Sequence, residues 1–141
     1  MAQPRRPRIG ADCIITVGGR VVLIERRNPP PGWALPGGFV DEGETVEAAV
    51  RREMMEETGL ELDKLKLFGV YSDPRRDLRG DCISVAFTAV GRGAARAGDD
   101  AGAVRLVSLD ELAGLALAFD HKRILADYAA SISKQTTDQA G

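Results

Sequence analysis

Histidine, cysteine and aromatic residues are scarce in this chain of 141 residues, which holds one His, two Cys, one Trp, two Tyr and four Phe. A lone His121 leaves no second imidazole with which to build a site, and it is read as a helix-start residue. Cys13 and Cys82 form no CxxC pair and stand among Val and Ile, so they read as small buried hydrophobes and fit a reducing, cytoplasmic setting. Neither sign of charge is in excess: 19 Lys+Arg stand against 21 Asp+Glu, which excludes a phosphate-tracking nucleic-acid footprint and an acidic tail. No run approaches the roughly 18 apolar residues of a membrane span. The Pro- and Arg-rich first eight residues lead into an alternating segment that contains Asp12, not an unbroken apolar stretch, so no secretory leader is expected. A chain of this size buries roughly 68–70% of its unfolded surface, and one domain spanning 1–141 is expected, with flexible ends at 1–8 and 135–141.

What is present is well punctuated. Gly18-Gly19 between two Val/Ile-rich stretches supplies the positive φ angles of a two-residue hairpin turn, predicting strands over 10–17 and 20–26. Pro29-Pro30-Pro31-Gly32 then stops regular structure, and Pro36-Gly37-Gly38 punctuates again after Trp33-Ala34-Leu35. A helix is predicted from Thr45, a good N-cap, to Thr58, with Gly59 suited to the left-handed position that ends it. Strands follow at 65–71, 82–90 and 104–107, the last two joined by a Gly/Ala-rich connection over 91–102. Ser108 to Glu111 opens a short helix as a capping box, and Asp120 caps a last one carrying Ile124, Leu125, Tyr128 and Ile132 at helical spacing.

On a helical wheel Val46, Ala49, Val50, Glu53, Met54 and Glu57 share one face, with Glu56 beside it. Glu53 thus interrupts the apolar stripe. A carboxylate turned toward the protein body loses hydration, and neighbouring carboxylates repel, so a cation must compensate. Carboxylates at i, i+3 and i+4 can converge on a hard, oxygen-seeking ion such as Mg²⁺. The competing reading is a solvated face with pairs such as Arg52 and Glu56. Gly37-Gly38 ahead of the helix, which permits close backbone approach, Glu44 in the entry loop and Gly59 at the far end favour the metal reading.

Gly38, Glu44, Arg52-Glu53, Met54, Glu56-Glu57, Gly59 and Leu60 match the pattern G-x5-E-x7-R-E-U-x-E-E-x-G-U, U being aliphatic, at every defined position, and so resemble the box of Nudix hydrolases. A chance match is of order one in about 10⁷. The resemblance implies an α+β fold, a Nudix-type α/β/α sandwich with a mixed central sheet. It also implies hydrolysis of a diphosphate linked to another moiety with divalent metal, Mg²⁺ or Mn²⁺. By that correspondence Glu53, Glu56, Glu57 and the Gly37 carbonyl are metal ligands, Arg52 orients the carboxylates and Glu44 ties the loop to the helix. The general base is left among Glu53, Glu56, Asp99 and Asp100, the last two in the Gly-rich connection.

Substrate choice must come from outside the box. Tyr71-Ser72-Asp73-Pro74 with Arg79-Gly80 resembles prokaryotic ADP-ribose pyrophosphatases, which implies ADP-ribose as substrate, AMP and ribose 5-phosphate as products and a homodimer as assembly. Arg75, Arg76 and Arg79 could hold phosphate or ribose oxygens and Asp73 and Asp77 ribose hydroxyls; the alternative is a surface turn with internal Arg/Asp pairs. Arg26 and Arg27 are further phosphate contacts, and Trp33 could stack on adenine or pack beneath its loop. The competing activities are pyrophosphohydrolysis of an oxidised nucleoside triphosphate, and ADP-ribose sensing without hydrolysis. A sensor would be expected to carry a degraded box. The near-zero net charge hides local asymmetry: eight acids and two arginines occupy 41–61, and basic residues gather in 5–8, 26–27 and 75–79.

Overall fold

The computed structural model describes residues 6–98 and 101–140. Strands β1 (Arg8–Val17) and β2 (Arg20–Arg26) form the expected hairpin, with Gly18 and Gly19 at φ 57° and 78°, the double left-handed geometry of its turn. Two three-residue strands follow, β3 (Gly32–Ala34) and β4 (Gly37–Phe39), where the sequence suggested only loop. Then come α1 (Val46–Thr58), β5 (Glu61–Tyr71), β6 (Cys82–Arg92), β7 (Ala101–Val107), α2 (Leu109–Leu112) and α3 (His121–Ala140). β5 begins several residues earlier than apolar alternation indicated because polar residues such as Glu61 and Asp63 are tolerated at its start, and β7 begins earlier because the small residues Ala101-Gly102-Ala103 carry no alternation to read. α3 continues past Lys134, the point at which its sequence turns polar.

The strands make one mixed sheet in the order β3-β2-β1-β6-β5, with β4 added on β1 and β7 on β2. β1 runs parallel to β6 from Arg8↔Cys82 to Thr16↔Val90, while its other pairings are antiparallel. It is therefore buried on both faces, and its alternation sorts two cores. Ala11, Cys13 and Ile15 pack with Ala49, Val50 and Met54 of α1. Ile14 packs with Leu23 and with Leu112, Ile124 and Leu125 of α2 and α3. Burying each such large aliphatic side chain contributes about 1.5–3 kcal/mol, so both helix layers are held by the central strand pair. The result is the three-layer α/β/α arrangement with a mixed sheet. Cys13 and Cys82 are buried free thiols, and burial raises the pKa of both.

Local chemistry fixes the ends of α1. The Thr45 hydroxyl accepts from the Ala48 N–H at 3.0 Å, and Gly59, at φ 72°, donates its N–H to the Met55 carbonyl. The terminal carbonyls of Glu57 and Thr58 accept from the N–H groups of Gly98 and Arg96, so the loop between β6 and β7 is pinned across the C-terminus of α1. The Asp120 carboxylate does not act as the expected cap: it is taken by the Arg76 guanidinium.

His121 does begin α3, yet it is fully enclosed and its Nδ1 accepts from the Leu35 N–H at 3.0 Å. Burial lowers its pKa below the usual 6.5, with Asp12 and Asp120 opposing. Below about pH 6.5 the unfolded chain therefore binds a proton that the native state refuses, so stability is full above that pH and declines as pH falls beneath it. His121→Asn, whose Oδ1 can replace the Nδ1 acceptor, is expected to flatten the pH 5–7 part of a urea-unfolding series, where the native protein loses stability.

Candidate active site

One turn of α1 and the loop before it converge on Arg52. Its Nε and Nη2 donate to the two carboxylate oxygens of Glu44 at 2.8 and 2.9 Å, its Nη1 donates to Glu53 at 2.7 Å, and Nη2 also reaches the Phe39 carbonyl at 3.1 Å. Glu56 is only grazed, at 3.5 Å. The Arg52 hydrogen bonds, joined by the Asp41 N–H, hold the Glu44 carboxyl down at about 2. Arg52 thus ties the β4–α1 loop to the helix and orients Glu53. Glu57 lies at the next turn and accepts from the Gly37 N–H at 2.9 Å. Burial pushes its carboxyl up to about 8 against that hydrogen bond, with the charges of Glu53 and Asp12 adding to the rise. Burial also raises Glu53, with Arg52 opposing.

Glu53, Glu56 and Glu57 line an open cleft whose opposite wall is Arg96 to Gly98. Among the described residues no three His, Cys, Asp or Glu side chains already stand close enough to cage a metal ion, unlike the convergence expected from spacing. The physical reason is visible in the contacts. Like charges repel, so Glu53 leans to Arg52, Glu57 to the Gly37 N–H, and Glu56 stays exposed. The donor set nevertheless suits a hard divalent cation, being all carboxylate oxygen on one helix face, with two charges strained by burial that a cation would relieve. Gly38 contributes by what it lacks: a Cβ there would fall within the Glu53 carboxylate. Glu53, Glu56 and Glu57 are accordingly the residues that could hold metal, whereas Gly37 shows its N–H side engaged by Glu57.

Gly37 also borders a second pocket, lined by Asp12, Arg26, Phe39, Arg76, Arg79, Phe119 and His121 among others. Arg26 and Arg79, two of the expected substrate contacts, both reach it. The Arg26 guanidinium lies over the Phe119 ring at 4.7 Å with its Nε donating to the Pro30 carbonyl at 2.8 Å, and the charges of Arg79, Glu57 and Asp77 are within its electrostatic reach. Arg79 is held by Asp77 through its N–H and side chain at 2.9–3.3 Å. Arg76 lines the pocket too, but its 4% exposed side chain is spent on a bidentate pair with Asp120 at 2.7 and 3.0 Å.

Other expected contacts lie elsewhere. Arg75 and Asp73 pair with each other on an exposed turn, where Arg75 holds the Asp73 carboxyl down at about 2, and they border a different groove. So the internal Arg/Asp reading describes the 73–79 loop, with Arg79 alone keeping an open side toward the pocket. Trp33 packs with the α2/α3 core and under Arg105, and its carbonyl accepts from the Ala118 N–H, so the packing reading holds for it. Arg27 is exposed past the end of β2 and borders neither cleft. Asp99 and Asp100 lie outside the described residues, directly after the pinned Gly98. Asp12, Phe39 and Phe119 were not singled out as site residues, although Asp12 was visible as a carboxylate inside a Val/Ile-rich strand.

The NUDIX domain model matches residues 6–128. An ADP-ribose pyrophosphatase of Methanocaldococcus jannaschii is 49% identical over 126 residues, covering 86% of this chain and 73% of that protein. An ADPR responsive transcriptional repressor of Acinetobacter baylyi is 31% identical over 83% of this chain, which spans 49% of the repressor. Among solved structures, the NUDIX domain of Shewanella oneidensis NrtR complexed with ADP ribose superposes with a TM-score of 0.82 at 25% identity, covering 91% of this chain and 90% of that one. With the domain model matching most of its length and a relative 49% identical over 86% of it, the chain belongs to the Nudix hydrolase family.

Proposed function

We propose that this Nudix hydrolase cleaves ADP-ribose to AMP and ribose 5-phosphate, using Mg²⁺ or Mn²⁺ held by Glu53, Glu56 and Glu57. The observation that carries the reading is the junction at Gly37-Gly38, where a carboxylate cleft for a cation meets a pocket walled by Arg26 and Arg79. The similarity to the archaeal ADP-ribose pyrophosphatase over most of the chain supports the substrate. A bound divalent cation would neutralise diphosphate oxygens and favour water attack on phosphorus. Arg52 keeps Glu53 and the β4–α1 loop in register. Arg26 faces the diphosphate from the pocket side. Water adds to one phosphorus, the bridging P–O bond breaks toward the departing phosphate, and the water's proton passes to a carboxylate drawn from Glu53, Glu56, Asp99 and Asp100.

The intact box favours hydrolysis over the ligand sensing of the repressor relatives. The same reading takes the chain as a single cytoplasmic domain working as a homodimer without nucleic acid or membrane, and no helix among the described residues is long and apolar enough to cross a bilayer. Initial rates on ADP-ribose, dGTP and 8-oxo-dGTP with each metal test the substrate. ADP-ribose is expected to be turned over at least tenfold faster, and equal or faster triphosphate turnover would overturn the assignment.

A further inference from the structure

Asp12 stands at the floor of the Arg26/Arg79 pocket, on the one strand that is paired to both β4 and β6. The fully buried Ser84 hydroxyl, on β6 and distant in sequence, fixes its Oδ2 by donating to it, and the His121 ring stands beyond hydrogen-bond reach, with Nε2 at 4.0 Å. Because His121 Nδ1 already accepts the Leu35 N–H, the neutral ring carries its proton on Nε2, the side that faces Asp12. Oδ1 is turned the other way, against Gly37, where the absence of a Cβ makes room for it. A carboxylate so held on a pocket wall is a preset hydrogen-bond acceptor, with lone pairs left over beyond the one that Ser84 occupies.

The pocket walls narrow the class of donor. The Phe39 ring is faced by Arg8 at 3.4 Å and by Arg79 at 5.5 Å from its centroid, and the Phe119 ring by Arg26 at 4.7 Å and Arg79 at 4.9 Å. Guanidiniums thus occupy the stacking positions a flat base would use. What the walls do offer is the Asp12 carboxylate, Asp77 being taken by Arg79, opposite guanidinium N–H groups. Sugar hydroxyls, each of which both donates and accepts, match that pattern. Phe119 sits at φ 57°, a left-handed conformation costly for an aromatic residue and held here by neighbours on both sides: Ala118 donates to the Trp33 carbonyl and Asp120 binds Arg76.

We propose that Asp12 is a specificity-determining residue that accepts a hydrogen bond from a ribose hydroxyl of the substrate, with Ser84 as its positioning residue. The inference rests on the ADP-ribose reading above. Two riboses flank the diphosphate, and the same chemistry could serve either.

The test compares kcat/KM for ADP-ribose with that for its analogues lacking the 2-hydroxyl on the adenosine ribose or on the terminal ribose, in native protein, Asp12→Ala and Asp12→Asn. The native enzyme is expected to disfavour one analogue by about 10-fold or more, and Asp12→Ala to erase that preference by slowing ADP-ribose while leaving the deoxy analogue nearly unaffected; Asp12→Asn keeps the volume and should retain part of it. The analogue affected names the sugar. Ser84→Ala, which frees Asp12 without removing it, should weaken the same preference mainly through KM. Undiminished discrimination in Asp12→Ala, or an equal loss on all three substrates, would overturn the assignment of Asp12 alone. Absence of native turnover of ADP-ribose would overturn the substrate reading and this inference with it.

Discussion

Glu57→Gln is expected to reduce kcat/KM on ADP-ribose by about 10³-fold while leaving the melting temperature unchanged or higher. The two halves of that expectation have one cause. Glu57 is buried enough that its carboxyl is pushed up to about 8, so the fold bears a cost for keeping it charged near neutral pH. Gln keeps the volume and can still accept the Gly37 N–H through its amide oxygen. What it lacks is the charge that a divalent ion would complete. Glu53→Gln should behave similarly in activity but also unsettle Arg52, which donates to it at 2.7 Å. A melting series with and without Mn²⁺ separates metal binding from folding: the native protein should gain stability from the ion, and the Glu57 variant should gain little. Near-native activity in Glu57→Gln would remove the carboxylate cleft from the account.

Gly38→Ala is the second large expectation, and it acts without touching any charge. The new methyl would fall on the Glu53 carboxylate, so that side chain must swing aside and lose its seat against Arg52. Displacement of a catalytic group by about 1 Å can cost roughly 10²-fold, and a loss of at least that size in kcat/KM is expected. The end of a flexible side chain gives way, not backbone, so the melting temperature should change little. Gly37→Ala makes the contrast, since its methyl would strike the Ala11 carbonyl at 2.6 Å as well as Asp12 and must displace β1. That variant should lose stability along with activity. If Gly38→Ala retained full activity, Glu53 would not need the position in which the structure holds it.

How much of this was legible in the sequence follows from how local each feature is. The hairpin turn at Gly18-Gly19, the Thr45 cap, the Gly59 terminator and the face shared by Glu53 and Glu57 are all set within a few residues, and the structure has each of them. β3 and β4 escaped because three residues between prolines and glycines carry no period to read. The 73–79 loop showed its charges but not their partners: Arg76 is consumed by Asp120, 44 residues away, and only the fold reveals that Arg79 is the arginine of this loop left facing the pocket. Asp12 was visible as a carboxylate but its surroundings were hidden for the same reason, since Ser84 lies 72 residues from it. The carboxylates' actual poses were also beyond sequence reasoning, which gives spacing but not the repulsion that sends Glu53 and Glu57 to different donors.

The most direct measurement is product analysis of ADP-ribose hydrolysis in ¹⁸O-labelled water, with Mg²⁺ and with chelator, by mass spectrometry. Hydrolysis at phosphorus is expected to yield AMP and ribose 5-phosphate in equal amounts, one of the two carrying a single ¹⁸O on phosphorus, and no products in chelator. Intact ADP-ribose in the presence of Mg²⁺, or label recovered on the sugar carbon instead of phosphorus, would contradict it.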